Sequence, residues 1–194
     1  MSKTIAIPGK ISILQLGVRR AARQGHPRGH KVRRRCLTAV YRIGFCPTPA
    51  PSETALLANL GYGSPLGHGR WHNQGLPQVV YCGSSRALCQ LEKRVHCNGA
   101  IPQDQALMRL VLPDPAPLND ATTLELPADW RLDEAATQAI GNAWVASGAA
   151  SGLWVPSFIE PTEQNLLLNS AHSAYGSTQL HIERRPVRLD PRLF

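Results

Sequence analysis

GRWHNQGLPQVVYCGSSRALCQLEKRVH, residues 69–96, decides how this chain is read, because a glycine-bracketed polar loop, a strand and a helix meet there on one glutamate, Glu92. Val79, Val80 and Tyr81 form a β-prone run between Pro77 and Gly83, which predicts a buried strand of about four residues. A helix follows, capped by Ser84 or Ser85, since a serine hydroxyl satisfies a backbone N–H that the first turn leaves unpaired. Leu88, Leu91 and Val95 recur at helical spacing and predict the face turned toward the core. Glu92, four residues after Leu88 and three before Val95, projects beside that stripe. A carboxylate there needs a partner. It is either half of an ion pair at a helix–sheet seam or a group that meets a ligand. Arg70 and Trp71, on a loop pinned by Gly69 and Gly75 beside His72, Asn73 and Gln74, favour ligand contact over core filling.

Upstream of this unit, LTAVYRIG (residues 37–44) reads as the first strand, closed by glycine and then by Pro47 and Pro49. Arg42 stands inside it. It is either exposed at an edge or placed to hold phosphate oxygens in the bidentate fork that a guanidinium offers. Residues 47–68, rich in proline and glycine, form a connection with a short helix at 53–60, and this connection can lie over a site. Downstream, residues 106–112 predict a second strand, and the segment 113–127 is broken by prolines. Residues 132–147 predict a helix with Asp133 as N-cap and Ala136, Ile140, Ala143 and Trp144 on one core face without chemistry. Leu153, Trp154 and Val155 make a short strand that Pro156 stops, leaving Ser157 at a strand end, where α/β folds commonly bind ligands. Otherwise it is an ordinary turn residue. Residues 165–169 (NLLLN) are an apolar strand flanked by amides, and residues 179–189 a last strand ending at Asp190 and Arg192.

At 194 residues with 43% hydrophobic content the chain is long enough for one globular domain with an appendage. No apolar run approaches the roughly 18 residues of a membrane span, and the N-terminus lacks the pattern of a signal peptide, so a soluble, cytoplasmic protein with no membrane role is expected. Cys36, Cys46, Cys82, Cys89 and Cys97 are odd in number and form no C-x-x-C pair. They read as reduced, structural residues instead of a metal or redox centre. The net charge of +8 is uneven: residues 1–35 hold ten Lys or Arg and no acid, leaving 11 basic against 13 acidic residues in the body. Such an arm is either a disordered solvated tail or a non-specific nucleic-acid contact. It has no aromatic residue on which bases could stack. G-x-G-x-x-G, P-loop, H-E-x-x-H and G-x-S-x-G motifs are all absent, so a bound nucleotide must be held by other means.

The ordered set of Arg42 on a first strand, Gly69-Arg70-Trp71 on a loop, Val80-Tyr81 on a strand, Glu92 on a helix, Pro156-Ser157 at a strand end, Asn165-Leu166-Leu167-Leu168-Asn169 and Asp190-Pro191-Arg192 resembles the RES-domain family. These are toxins of Xre/RES toxin–antitoxin pairs, named for an arginine, a glutamate and a serine. The resemblance covers residues 37–194. It implies a basic extension over 1–35 and a RES domain over 36–194, of α/β (α+β) class and similar to the ADP-ribosyltransferase fold. It also implies destruction of NAD⁺ without a metal, and a cognate Xre-type antitoxin as partner. Arg42, Glu92 and Ser157 would be the family's catalytic residues, and Arg42, Arg70, Trp71, Tyr81 and Ser157 would hold NAD⁺. After the motif arginine the family often has a ring; here Ile43 follows Arg42 and Tyr41 precedes it. Either water or phosphate would accept the ADP-ribosyl group. A protein acceptor, as in mono-ADP-ribosylation, and a non-enzymatic nucleic-acid binder acting through the arm are the alternatives.

Overall fold

The computed structural model describes residues 37–100 and 102–193. The basic arm of residues 1–35 and Cys36 lie outside the described residues. Seven strands form one sheet: β1 (Ala39–Phe45), β2 (Val79–Gly83), β3 (Gln105–Val111), β4 (Leu118–Asp120), β5 (Gly152–Pro156), β6 (Gln164–Asn169) and β7 (Gln179–Arg184). They run in the order β4-β5-β6-β2-β1-β3-β7, antiparallel except for the β4–β5 pair. Three α-helices, α1 (Glu53–Asn59), α2 (Arg86–His96) and α3 (Glu134–Ser147), complete a mixed α/β fold. The strands at the centre are apolar on both faces. Val40, Val80, Met108, Leu110, Leu153, Leu166 and Leu167 are fully buried, and each such side chain contributes about 1.5–3 kcal/mol relative to exposure.

The sheet is nearly divided between β1 and β2. Seven residue pairs join β1 to β3 and five join β2 to β6, but a single pair, Tyr41 with Gly83, joins β1 to β2. Backbone groups beside that split need other partners. The carbonyl of Tyr81 takes its hydrogen bond from Arg42 Nη1 at 2.6 Å, so an arginine side chain replaces a rung of the ladder.

Local sequence explains most boundaries. Ser85 caps α2 by accepting from Leu88 N at 3.1 Å, and Asp133 caps α3 by accepting from Ala136 N at 2.9 Å. Three expectations are corrected. The last strand ends at Arg184, because Pro186 has no N–H to continue a ladder. Val187 and Leu189 instead turn into the core beside Ile43, Cys89 and Leu107. The proline-broken segment contains a short strand, β4. On α3, the buried face is Thr137, Gly141, Trp144 and Val145, while Ala143 is exposed and Leu132 lies before the helix at 90% exposure.

A fourth correction concerns α2. Leu88 is buried as expected, but Leu91 and Val95 are 41% and 56% exposed, and Cys89 is buried in their place. The helix is turned about its axis because Gly83 and Cys89 meet closely: a Cβ on Gly83 would lie 2.9 Å from the Cys89 sulfur. The Cys89 thiol donates to Tyr41 O at 2.9 Å. This rotation carries Glu92, about 40° from Leu88 on a helical wheel at about 100° per residue, toward the split.

Candidate functional site

A cavity of about 550 Å³ opens where β1 and β2 part, between α2, the loop 69–72 and the connection 61–64. Arg42, Arg70, Trp71, Tyr81 and Glu92 all border it. Ser157 does not, being fully buried behind Glu92.

Glu92 is held by neutral donors. Ser157 Oγ donates to its Oε1 at 3.1 Å and Asn165 Nδ2 donates to the same oxygen at 2.6 Å. The Ser157 hydroxyl in turn accepts from the backbone N–H groups of Ile159 and Glu160, both at 3.1 Å, so its hydrogen-bonding capacity is spent on the loop and on Glu92. The other carboxylate oxygen, Oε2, has His96 Nε2 at 3.7 Å, one helical turn along, on a side chain that is 77% exposed. The Glu92 side chain keeps 22% of its surface exposed. No buried arginine among the described residues pairs with it, so Glu92 is not half of a buried ion pair at the helix–sheet seam. Asn165 is the residue that sequence reasoning left without a role. Its only local signal is an amide at the edge of an apolar strand.

Three cationic side chains, Arg42, Arg70 and Lys93, border the same cavity. Arg42 is half-buried; one terminal nitrogen is committed to Tyr81 O, and its Nε is buried without a partner. Lys93 also borders the cavity, and burial, with a smaller effect from the nearby Arg42 charge, lowers its pKa. Arg70 sits at the mouth, its guanidinium 4.2 Å from the Phe158 ring centroid and 3.8 Å from Glu134 Oε2.

The loop does more core filling than expected. Trp71 is 3% and His72 4% exposed, although both border the cavity. Trp71 packs with Val79, Trp144 and Leu153, and α3 fastens its backbone. Thr137 Oγ1 donates to Arg70 O at 2.7 Å, Gln138 Nε2 to Gly69 O at 2.9 Å, and Asn142 Oδ1 accepts from Asn73 N at 3.0 Å. The helix expected to carry no chemistry is therefore the buttress of the loop. Burial pushes the Tyr81 phenol well above its ordinary range, and this ring enters the cavity as a neutral group. Burial likewise pushes the Cys82 thiol up to about 12 and the Cys89 thiol up to about 11, which disfavours their thiolate forms. Ile43 is buried, and Tyr41 lies under the Arg86 guanidinium at 4.2 Å. Among the described residues no group of His, Cys, Asp and Glu could hold a metal ion, and no helix is long and apolar enough to cross a membrane.

The site is thus a carboxylate clamped by neutral donors in an α/β domain, bordering a cavity that Arg42, Arg70 and Lys93 also border, at a split in the sheet. The RES domain model matches residues 39–190, and the chain belongs to the RES-domain toxin family. It is 39% identical over 142 residues to the "Prs ADP-ribosylating toxin" of Sphingobium sp. (strain YBL2), covering 69% of this chain and 84% of that protein. It is 32% identical over 135 residues to "Toxin Res" of Yersinia enterocolitica, covering 69% and 88%. A solved M. tuberculosis MbcT–MbcA toxin–antitoxin complex contains a chain 18% identical to this one, with a TM-score of 0.48 over 75% of this chain and 81% of that one.

Proposed function

We propose that this protein cleaves the bond between nicotinamide and ribose in NAD⁺, its substrate, and does so as the toxin of a toxin–antitoxin pair. The observation that carries this reading is the geometry of Glu92: Oε1 is clamped by Ser157 and Asn165, while the carboxylate borders a cation-lined cavity. As the glycosidic bond breaks, positive charge grows on the ribose. A carboxylate already fixed beside it stabilises the transition state more than the ground state, as in glycoside cleavage. Arg42 would bind the pyrophosphate, with Arg70 at the mouth and the Lys93 charge adding to the attraction. The Tyr81 ring offers a flat wall to the nicotinamide. Trp71 supports the loop from the core, and Ser157 acts on the substrate through Glu92.

The acceptor in this reading is water or inorganic phosphate. The relative with 39% identity, named an ADP-ribosylating toxin, favours a second reading in which the same cleavage delivers ADP-ribose to a protein. A small Xre-type antitoxin covering the cavity would be the partner, and the cytoplasm the place of action. The test is incubation of the purified 194-residue protein with NAD⁺, with and without phosphate, followed by chromatography. Release of nicotinamide is expected in each case, with free ADP-ribose or its phosphate ester naming the acceptor; label from radioactive NAD⁺ on a lysate protein would name a protein acceptor. Intact NAD⁺ with demonstrably folded protein would overturn the proposal. Deleting residues 1–35 should leave nicotinamide release unchanged, whereas loss of a nucleic-acid gel shift with retained inertness toward NAD⁺ would favour a binding protein.

Arg42→Lys should raise KM for NAD⁺ by about tenfold or more, since a point ammonium cannot reproduce parallel guanidinium bonds to phosphate. Steady-state kinetics checks it, and unchanged KM and kcat would remove Arg42 from the site.

A further inference from the structure

His72 is a buried titratable group to which the reading above gives no role, and both of its ring nitrogens are engaged. Nε2 lies 2.9 Å from the carbonyl oxygen of Ser64, and Nδ1 lies 2.7 Å from the Tyr81 hydroxyl. A carbonyl can only accept, so Nε2 carries a proton. In the neutral ring Nδ1 is then the acceptor, and the Tyr81 O–H donates to it. The phenol oxygen also accepts from Trp71 N at 3.3 Å. Without His72 that longer bond would remain, but the phenol proton would lose its acceptor in a buried place, which is the costly half of a broken hydrogen bond.

The ring is itself held in place. The backbones of Gly69 and His72 bond each other at 2.9 and 3.4 Å. A Cβ on Gly69 would lie 2.4 Å from His72 Cε1 and 2.9 Å from the Tyr81 oxygen, so only glycine leaves room for both rings. Ser64, the partner of Nε2, is locked in turn: its hydroxyl accepts from Val79 N at 2.7 Å and donates to Gly61 O at 3.0 Å. A chain of bonds therefore runs from the start of β2 through Ser64 and His72 to Tyr81, one of the rings that border the cavity.

We infer that His72 is a positioning residue, whose Nδ1 lone pair sets the orientation in which Tyr81 presents its ring to the substrate. This rests on the reading that the Tyr81 ring meets the nicotinamide of NAD⁺. The two ring nitrogens can be separated by substitution. In His72→Asn the shorter amide can place an oxygen near the Nδ1 position and keep an acceptor for Tyr81. In His72→Gln the longer amide reaches the Nε2 position and keeps the bond to Ser64 but not the acceptor.

The experiment compares His72→Gln, His72→Asn and Tyr81→Phe, singly and combined, by NAD⁺ cleavage kinetics and thermal melting, with ¹⁵N spectra of the imidazole groups of the full chain. His72→Gln should lower kcat/KM by roughly tenfold, since a misplaced wall costs binding geometry, and the loss should fall on KM because a wall contacts the ground state too. His72→Asn should recover most of it, and in a Tyr81→Phe background His72→Gln should cost nothing further. Equal losses in both His72 variants, tracking their melting temperatures, or an undiminished loss in the Tyr81→Phe background, would overturn the inference. The spectra answer independently of folding in the His72 variants and of turnover: Tyr81→Phe should shift the Nδ1 resonance of an Nε2-protonated His72, and an unmoved resonance overturns the proposal. If Tyr81→Phe produces this shift but the wild-type protein leaves NAD⁺ intact, the proposed reaction fails while the His72–Tyr81 bond stands.

Discussion

Glu92→Gln should lower kcat by on the order of 10²-fold or more, about 2.7 kcal/mol of transition-state stabilisation, with little change in stability. The amide oxygen can still accept from Ser157 and Asn165, which both bond the single oxygen Oε1, so the clamp survives while the charge is removed. A glutamate paired with a buried arginine would behave differently, since neutralising it would strand that arginine at a cost of about 3–5 kcal/mol. Here the only basic side chain within ion-pair distance among the described residues is that of His96, which is largely exposed. Single-turnover cleavage and thermal melting on one preparation separate the two effects. A deep fall in melting temperature with normal turnover of the folded fraction would remove Glu92 from the chemistry.

Gly141→Ala should be among the most destabilising single-methyl additions in the domain, although it lies on a helix where alanine is intrinsically preferred to glycine. The new Cβ would stand 1.7 Å from the carbonyl oxygen of Trp71 and 2.8 Å from its carbon. Backbone cannot swing away as a side-chain tip can, so helix and loop must separate. Their separation breaks the bonds of Thr137 and Gln138 to the loop carbonyls. A cost of about 3 kcal/mol or more is expected, at the upper end of overpacking penalties, which corresponds to a fall in melting temperature of roughly 6–12 °C for a chain of this size. Because the same loop carries Arg70 and positions His72, NAD⁺ turnover should fall with it. A melting temperature within about a degree of wild type would show that the helix does not buttress the loop.

The order of strands and helices was largely readable because its signals are local. Ser85 and Asp133 cap helices through N–H groups three residues away, and prolines stop strands because they lack a donor. The constellation of Arg42, Tyr81 and Glu92 was legible for a related reason, since side chains with few structural uses stood at element ends and on a polar loop. What the residues could not announce were Asn165 and Gln138, ordinary amides whose roles appear only when a glutamate or a loop carbonyl is brought against them from another part of the chain.

Sequence by itself thus determined the α/β class, most of the elements, and Arg42, Arg70, Trp71, Tyr81 and Glu92 among the residues that border the cavity. Tertiary structure alone decided which way those elements face. Periodicity states which residues share a helical face, but rotation about the axis is set by contact with distant backbone. Gly83 against Cys89 turned Leu91 and Val95 outward and Glu92 toward the split. The same holds for Ser157, whose hydroxyl is drawn to a carboxylate 65 residues away and so sits behind the cavity wall. The parting of β1 from β2 after one registered pair likewise has no local signal, because pairing is a property of two strands and the space it opens belongs to neither.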